Sequence, residues 1–258
     1  MADRIGLYLS RWFLKQRIGT KANLYDFLEP LSHDFLSVRD DFQGPVIDTN
    51  RWTVNNGAGA SAASPAIDVG LVGGAIKMVT GTAGDSTASS TLAMGRHFLG
   101  ENNAVMMARI KCETVVTGVK IEIGFRNAIT NAAVVNVKST PTFTAADGAV
   151  WILDTTENTS WDGLAVAYAV VGTSLKPAQM VATASVFETF QVALIGGVAY
   201  YSHFDVNGRR DYGPTAQAAA VTATVLLSPH IYIEARNGTS KTLNVDYASN
   251  IYPPTWPD

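Results

Sequence analysis

Between Phe187 and Tyr247 the chain carries β-rich runs separated by glycine-bearing turns. The runs are Phe190–Ile195, Val198–Val206, His230–Arg236 and Thr242–Tyr247. Gly196-Gly197 follows the first, Asn207-Gly208 the second and Asn237-Gly238 the third. Gly-Gly and Asn-Gly steps reverse a chain tightly, because glycine enters φ > 0 freely and asparagine tolerates it. A series of this kind admits little besides an antiparallel sheet. Alternation then assigns His230, Tyr232, Glu234 and Arg236 to one face and Ile231, Ile233 and Ala235 to the other.

The same texture extends upstream. Ile67, Val69 and Leu71 precede Gly73-Gly74, and Ala75–Val79 follows, which predicts a hairpin. Thr91–Met94, Asn103–Thr114, Val119–Arg126, Ala133–Val137, Gly148–Leu153 and Gly163–Val171 supply further strands. Within Val119–Arg126, Lys120 and Glu122 share one face, while Val119, Ile121 and Ile123 share the other. About a dozen strands at this spacing predict an all-β, two-sheet antiparallel sandwich of the jelly-roll kind. Residues 55–66 and 81–90 are rich in small residues and read as surface loops, and no Gly-Lys-Ser or Gly-Lys-Thr follows the second to make a phosphate loop.

Composition supports a packed core. Hydrophobic residues make up 47% of the 258 residues and charged ones 16%, a balance that argues against global disorder. The net charge of −3 gives no basic footprint for nucleic acid. Cys112 is the one cysteine, which excludes an intramolecular disulfide and a multi-cysteine zinc site. Its setting in an apolar strand predicts a buried, inert thiol. The apolar stretch Ile5–Leu14 is broken by Ser10 and Arg11, unlike a signal peptide. No apolar run approaches the ~18 residues of a membrane span. The chain reads as made in a cytoplasm.

Residues 1–39 differ from the rest. Ile5, Tyr8, Leu9, Trp12 and Phe13 fall at helical spacing among Arg4, Arg11, Lys15 and Arg17. A second short helix is expected after Asn23, with Leu24, Phe27, Leu28 and Leu31 periodic until Pro30 limits it. This helical arm must bury its apolar stripe on its own sandwich, on another protein or on a membrane surface. The sandwich is expected over residues 40–251, entered through Phe42 and Trp52 as core anchors, with Asp41 and Asp48 capping turns. Residues 252–258 form an extended, proline-rich tail ending near Trp256.

Particular motifs carry a resemblance. Asp41-Phe42 followed by Asp48-Thr49-Asn50-Arg51-Trp52, then Phe204–Arg210, Gly213-Pro214, Ile231–Gly238 and Leu243–Tyr247, is similar to the order of pieces in concanavalin A-like (laminarinase-like) sandwich domains. The resemblance implies a scaffold that hosts lectins, hydrolases, adhesins and viral structural proteins, with Asp41 and Asp48 as calcium ligands in some relatives. The hydrolases among them carry a Glu-x-Asp-x-x-Glu strand, because glycoside cleavage needs paired carboxylates. No such run occurs here. Glu122, Glu234 and Asp246 stand on separate strands and are expected on a hydrated face, paired with Lys120, Arg126 or Arg236. No catalytic residue is assigned, and no cofactor or metal is expected.

The remaining candidates are sparse. His33, His97, His203 and His230 lack metal-ligand spacing, although His203 and His230 can neighbour each other across strands. Arg209-Arg210-Asp211 reads as a hydrated loop tip. Trp161 in a loop-like Trp-Asp-Gly step and Tyr212 are the candidate sugar-stacking residues, with Trp151, Tyr200, Tyr201 and Trp256 the other aromatics of that set and core packing the expectation for Trp151. Tyr8, Leu9, Trp12, Phe13, Phe27, Leu28 and Trp256 are the candidate assembly residues.

The combination of a charge-poor sandwich, an aromatic arm and a proline-rich tail resembles a structural protein of a tailed-phage virion. The expectation is a non-enzymatic capsid decoration or head-fibre protein, homo-oligomeric and bound to other virion proteins through its arm. The alternatives are a tail or baseplate protein gripping a host surface glycan, and a glycoside hydrolase-like protein.

Overall fold

The computed structural model describes residues 36–57, 59, 65–71, 74–83, 87–101, 103–112, 116–138, 141–167, 170–171, 180–217 and 221–252. In chain order the strands are β1 (Leu36–Asp40), β2 (Trp52–Asn56), β3 (Ala66–Ile67), β4 (Ile76–Val79), β5 (Ser89–Met94) and β6 (Phe98–Leu99). There follow β7 (Val105–Cys112), β8 (Val119–Arg126), β9 (Val135–Val137), β10 (Thr142–Phe143), β11 (Gly148–Asp154) and β12 (Trp161–Ala167). The last are β13 (Val170–Val171), β14 (Phe187–Ile195), β15 (Val198–Phe204), β16 (Arg210–Gln217), β17 (Leu226–Ala235) and β18 (Thr242–Tyr252).

Two sheets result. Sheet A has the order β16-β15-β14-β7-β18-β4-β3, with β1 on β18 beside β4. Sheet B has the order β13-β12-β11-β8-β17-β5-β2, with β6 on β17. The β9–β10 hairpin stands apart from both. The tight turns do the local work. Gly196 and Gly197 hold φ of +58° and +80° between β14 and β15, a path that side-chain-bearing residues resist.

Alternation delivers the core between the sheets. Val119, Ile121, Ile123 and Phe125 of β8 face Phe190, Val192 and Leu194 of β14 within one cluster that also holds Ile231 and Ile233 of β17. Trp151 lies edge-on to Phe190, Tyr201 and Tyr212 at centroid distances of 5.8, 5.5 and 5.5 Å. The Tyr201 hydroxyl donates to the Leu164 carbonyl at 2.7 Å, tying sheet A to sheet B. Gly163 makes room for that ring, since a Cβ there would lie 2.8 Å from it. Cys112 is buried, and desolvation pushes its thiol up to about 12, in keeping with an inert role.

The entry segment is pinned as expected for Phe42 and Trp52. Their rings are 5.7 Å apart, and Asp40 accepts both Phe42 N–H and Trp52 Nε1–H at 2.9 Å. Asp48 caps its turn through Asn50 N–H at 3.0 Å and pairs with Arg51 at 3.3 Å.

Several expectations need correction. Residues 36–39 are strand rather than helix, because β1 finds a ladder on β18, in register from Leu36↔Tyr252 to Asp40↔Ala248. Sheet A therefore begins before the expected boundary at residue 40. Arg210 and Asp211 lie in β16 rather than in a loop tip, and Gly213-Pro214 lies within that strand. An edge strand tolerates proline because one row of its N–H groups needs no partner. His203 and His230 occupy different sheets, on β15 and β17, and are not neighbours. The described residues contain no helix. The expected helices, with Tyr8, Leu9, Trp12, Phe13, Phe27 and Leu28, and the tail with Trp256, lie outside the described residues.

Candidate functional site

The titratable residues concentrate on the outward face of sheet B. Strand β8 alternates, so Lys120, Glu122 and Arg126 point away from the core that Ile121, Ile123 and Phe125 enter. Strand β17 adds His230, Tyr232 and Glu234, with Tyr232 opposite Glu122 and Glu234 opposite Lys120. Asp154 of β11 and Asp162 of β12 complete the face. The expected hydration is absent: Lys120 is 1% exposed and Glu122 0%.

The reason is a cover built from residues 127–138 and 141–147. Val134, Val135, Phe143 and Ala145 pack on Val150 and Ile152 of β11 and on Leu164 and Val166 of β12. That apolar patch seats the β9–β10 hairpin. Charged side chains from β8 then satisfy its main chain. Glu122 accepts Val134 N–H at 2.5 Å on Oε2 and Val135 N–H at 3.0 Å on Oε1. Lys120 Nζ donates to the carbonyls of Val135 and, at 3.2 Å, Asn136. Arg126 Nη1 donates to the carbonyls of Ala132 and, at 2.8 Å, Thr130. A two-residue ladder cannot satisfy the backbone of a buried hairpin, and these side chains make up the difference.

Further ionic groups border the clamp. Lys138 lies 3.1 Å from Asp162 and donates to Asn158 Oδ1 at 2.7 Å and to the Ser160 carbonyl. Arg236 bridges Glu234 and Asp154, each at 2.9 Å, and the Tyr232 hydroxyl donates to Glu234 at 2.8 Å. Burial opposes ionisation of Glu122, but His230 and Lys120 outweigh it and hold the carboxyl below its usual range. His230 Nε2 lies 3.7 Å from Glu122, beyond hydrogen-bond distance, and burial lowers that imidazole, which favours the neutral ring. Acid–base work requires a carboxylate that reaches a substrate. Here Glu122 reaches its own main chain.

A second titratable group sits at the other sheet's edge. His203 Nδ1 is 2.5 Å from Asp211 Oδ1 of β16, and His203 Nε2 is 3.7 Å from Glu188 Oε1 of β14. Asp211 has a side chain 44% exposed and Glu188 one 16% exposed. Desolvation and the neighbouring Asp211 push Glu188 up to about 7. Desolvation, partly offset by Asp211, lowers His203.

Of the candidate sugar-stacking residues, Trp161 belongs to the core and Tyr212 packs against it. Trp161 opens β12, is 1% exposed, and lies 4.3 Å from the Phe190 ring centroid. It is a strand residue because it pairs with Leu153 of β11, and its N–H donates to the Met180 carbonyl at 3.0 Å. Tyr212 is half-buried on β16 against Trp151. Both rings join one internal aromatic group through Phe190 and Trp151, and Trp161 presents no open face. Tyr200 is half-buried and Tyr201 fully buried. Among the described residues, no group of three or more His, Cys, Asp or Glu side chains is placed to hold a metal ion.

Sequence reasoning found the faces of β8 and β17 but missed the cover. It also missed Glu188, His203 and Asp211 as a group, because Asp211 was assigned to a loop. Parity places Glu188 on the face of His203, because His203 pairs with Phe190, but it pairs His203 with Tyr212 and assigns Asp211 to the other face; the register shifts on both sides of His203 bring Asp211 to it.

No family model matches this sequence, and no curated protein matches it. Solved structures do. A protein of unknown function from Shewanella oneidensis MR-1 superposes with a TM-score of 0.64 at 12% identity, covering 87% of this chain and 89% of that one. A Bacillus licheniformis β-glucanase gives 0.52 at 9% identity over 84% and 98% of the two chains. Peanut lectin gives 0.53 at 8% identity over 84% and 97%. At such identities the likeness concerns fold alone: this chain has the concanavalin A/lectin-like β-sandwich fold.

Proposed function

We propose that this chain is a non-enzymatic structural subunit of a phage virion, a capsid decoration or head-fibre protein that docks through its N-terminal arm and projects the sandwich. The observation that carries the non-enzymatic part is the clamp. Lys120, Glu122 and Arg126 bond the main chain of the cover that closes the charged face. A sandwich that fills its own titratable face is suited to holding partners rather than transforming them.

The virion setting draws support from the aromatic arm, the low charge content and the Leu36↔Tyr252 pairing. That pairing sets Leu36 beside Tyr252, so the two ends of the described body lie at one corner of sheet A. A subunit whose two extensions leave at one corner can present both to one docking surface, and repetition in an assembly multiplies weak contacts.

The test is incorporation into particles. Full-length protein and a Trp12→Ala, Phe13→Ala double variant are mixed with particles lacking the subunit, then sedimented. Co-sedimentation of the parent and loss by the double variant support the reading. Equal incorporation overturns the arm's role, and β-glucan turnover by the purified protein overturns the non-enzymatic role.

A further inference from the structure

The cluster at the edge of sheet A is not used by the role just argued. It spans β14, β15 and β16 through Glu188, His203 and Asp211. His203 is 2% exposed, and its Nε2 has no hydrogen-bond partner although it faces Glu188. The ladder between β15 and β16 is irregular on both sides of His203, with register shifts between Tyr201 and His203 and between His203 and Phe204. The Asp211–His203 bond therefore spans the place where main-chain pairing is weakest.

We propose that Glu188, His203 and Asp211 form a proton-operated latch that fastens edge strand β16 to sheet A. In the closed form the imidazole is neutral and its Nδ1–H donates to Asp211. Its Nε2 lone pair then faces Glu188 Oε1 across 3.7 Å, and the Glu188 carboxyl keeps its own proton. Loss of that proton to solvent leaves two carboxylates on either side of a neutral ring. Among the described residues, the other groups bearing on Glu188 do not compensate. Asp205, in the turn between β15 and β16, adds a further negative charge, and Thr183 offers only neutral hydrogen bonds to Glu188. Cys112 of β7 is a neutral thiol. Phe190 closes the side of the ring at 4.7 Å. The rise of Glu188 to about 7 agrees with a proton retained there.

The latch closes in acid and opens as pH rises through neutrality. Amide hydrogen exchange on the full-length chain from pH 6 to 8.5, corrected for intrinsic rates, reads it directly. Protection over residues 210–217 is expected to fall about tenfold, while residues 119–126 of β8 keep theirs. Glu188→Gln removes the titration and is expected to hold protection high and flat across that range. Asp211→Asn is expected to leave residues 210–217 poorly protected throughout. A flat profile in the parent, an unchanged slope in Glu188→Gln, or an equal fall over residues 119–126 overturns the latch.

Discussion

Glu122 Oε2 lies 2.5 Å from the Val134 amide, which fastens the middle strand of sheet B to the hairpin lying over it. The bond is wholly buried, so its loss leaves both partners without water. Glu122→Gln keeps the shape but removes the charge and one acceptor. It is expected to destabilise the fold by about 2–4 kcal/mol, read from urea unfolding. Amide protection over residues 130–145 should fall further than over residues 187–204. Equal losses in the two regions would show that Glu122 does not hold the cover.

Trp161→Ala separates a core role from a sugar-binding one. Removing a ring that packs on Phe190 is expected to cost about 3–5 kcal/mol. Any glycan binding by the parent should then be lost only in step with unfolding. A stable Trp161→Ala protein that loses glycan binding would restore Trp161 as a contact residue.

Gly163→Ala probes the crossing between sheets. A methyl group there meets the Tyr201 ring at 2.8 Å, so the ring or the strand must shift. The expected loss is about 1–3 kcal/mol. Tyr201→Phe in the same background is expected to recover none of it and to forfeit the bond to Leu164 as well. Thermal melts of the single and double variants check both.

The pH dependence of global stability has a defined sign at Glu188. Its folded value is about 7 against an ordinary 4.5. The folded chain retains a proton that the unfolded chain releases in that window. The contribution is complete below the ordinary value and is lost as pH rises through about 7. His203 acts oppositely, because its lowered value removes stability as pH falls through its folded value. Glu188→Gln is expected to raise Tm at pH 8.5 and change it little at pH 5. A higher parent Tm at pH 8.5 would contradict the sign.

Cys112 should resist alkylation in the native state and react after unfolding. Its thiol is buried and pushed up to about 12, so little thiolate exists at neutral pH. Mass spectrometry after iodoacetamide treatment, with and without urea, reads both states.

The sheet strands were legible where alternation and turn chemistry agreed. Val119–Arg126 is both the expected run and the observed strand, and the parity of Lys120 against Ile121 held. Closing strand β18 runs past Tyr247 to Tyr252 because β7 pairs with it as far as Ile251 and β1 pairs with it on the other side, partners that local sequence does not announce. β16 was missed because glycine and proline mask its alternation. The charged face looked hydrated because alternation reports which side a residue takes, not what lies over that side. Trp161 looked loop-like for its Asp-Gly neighbours, although Gly163 is there to admit Tyr201.

The Leu36↔Tyr252 register also fixes how the sandwich bears mechanical load. Tension applied between the two flanking segments would peel β1 from β18 one rung at a time, the weakest geometry for a ladder. Were both segments held to one support, as the proposed role requires, no such tension would cross the β1–β18 ladder.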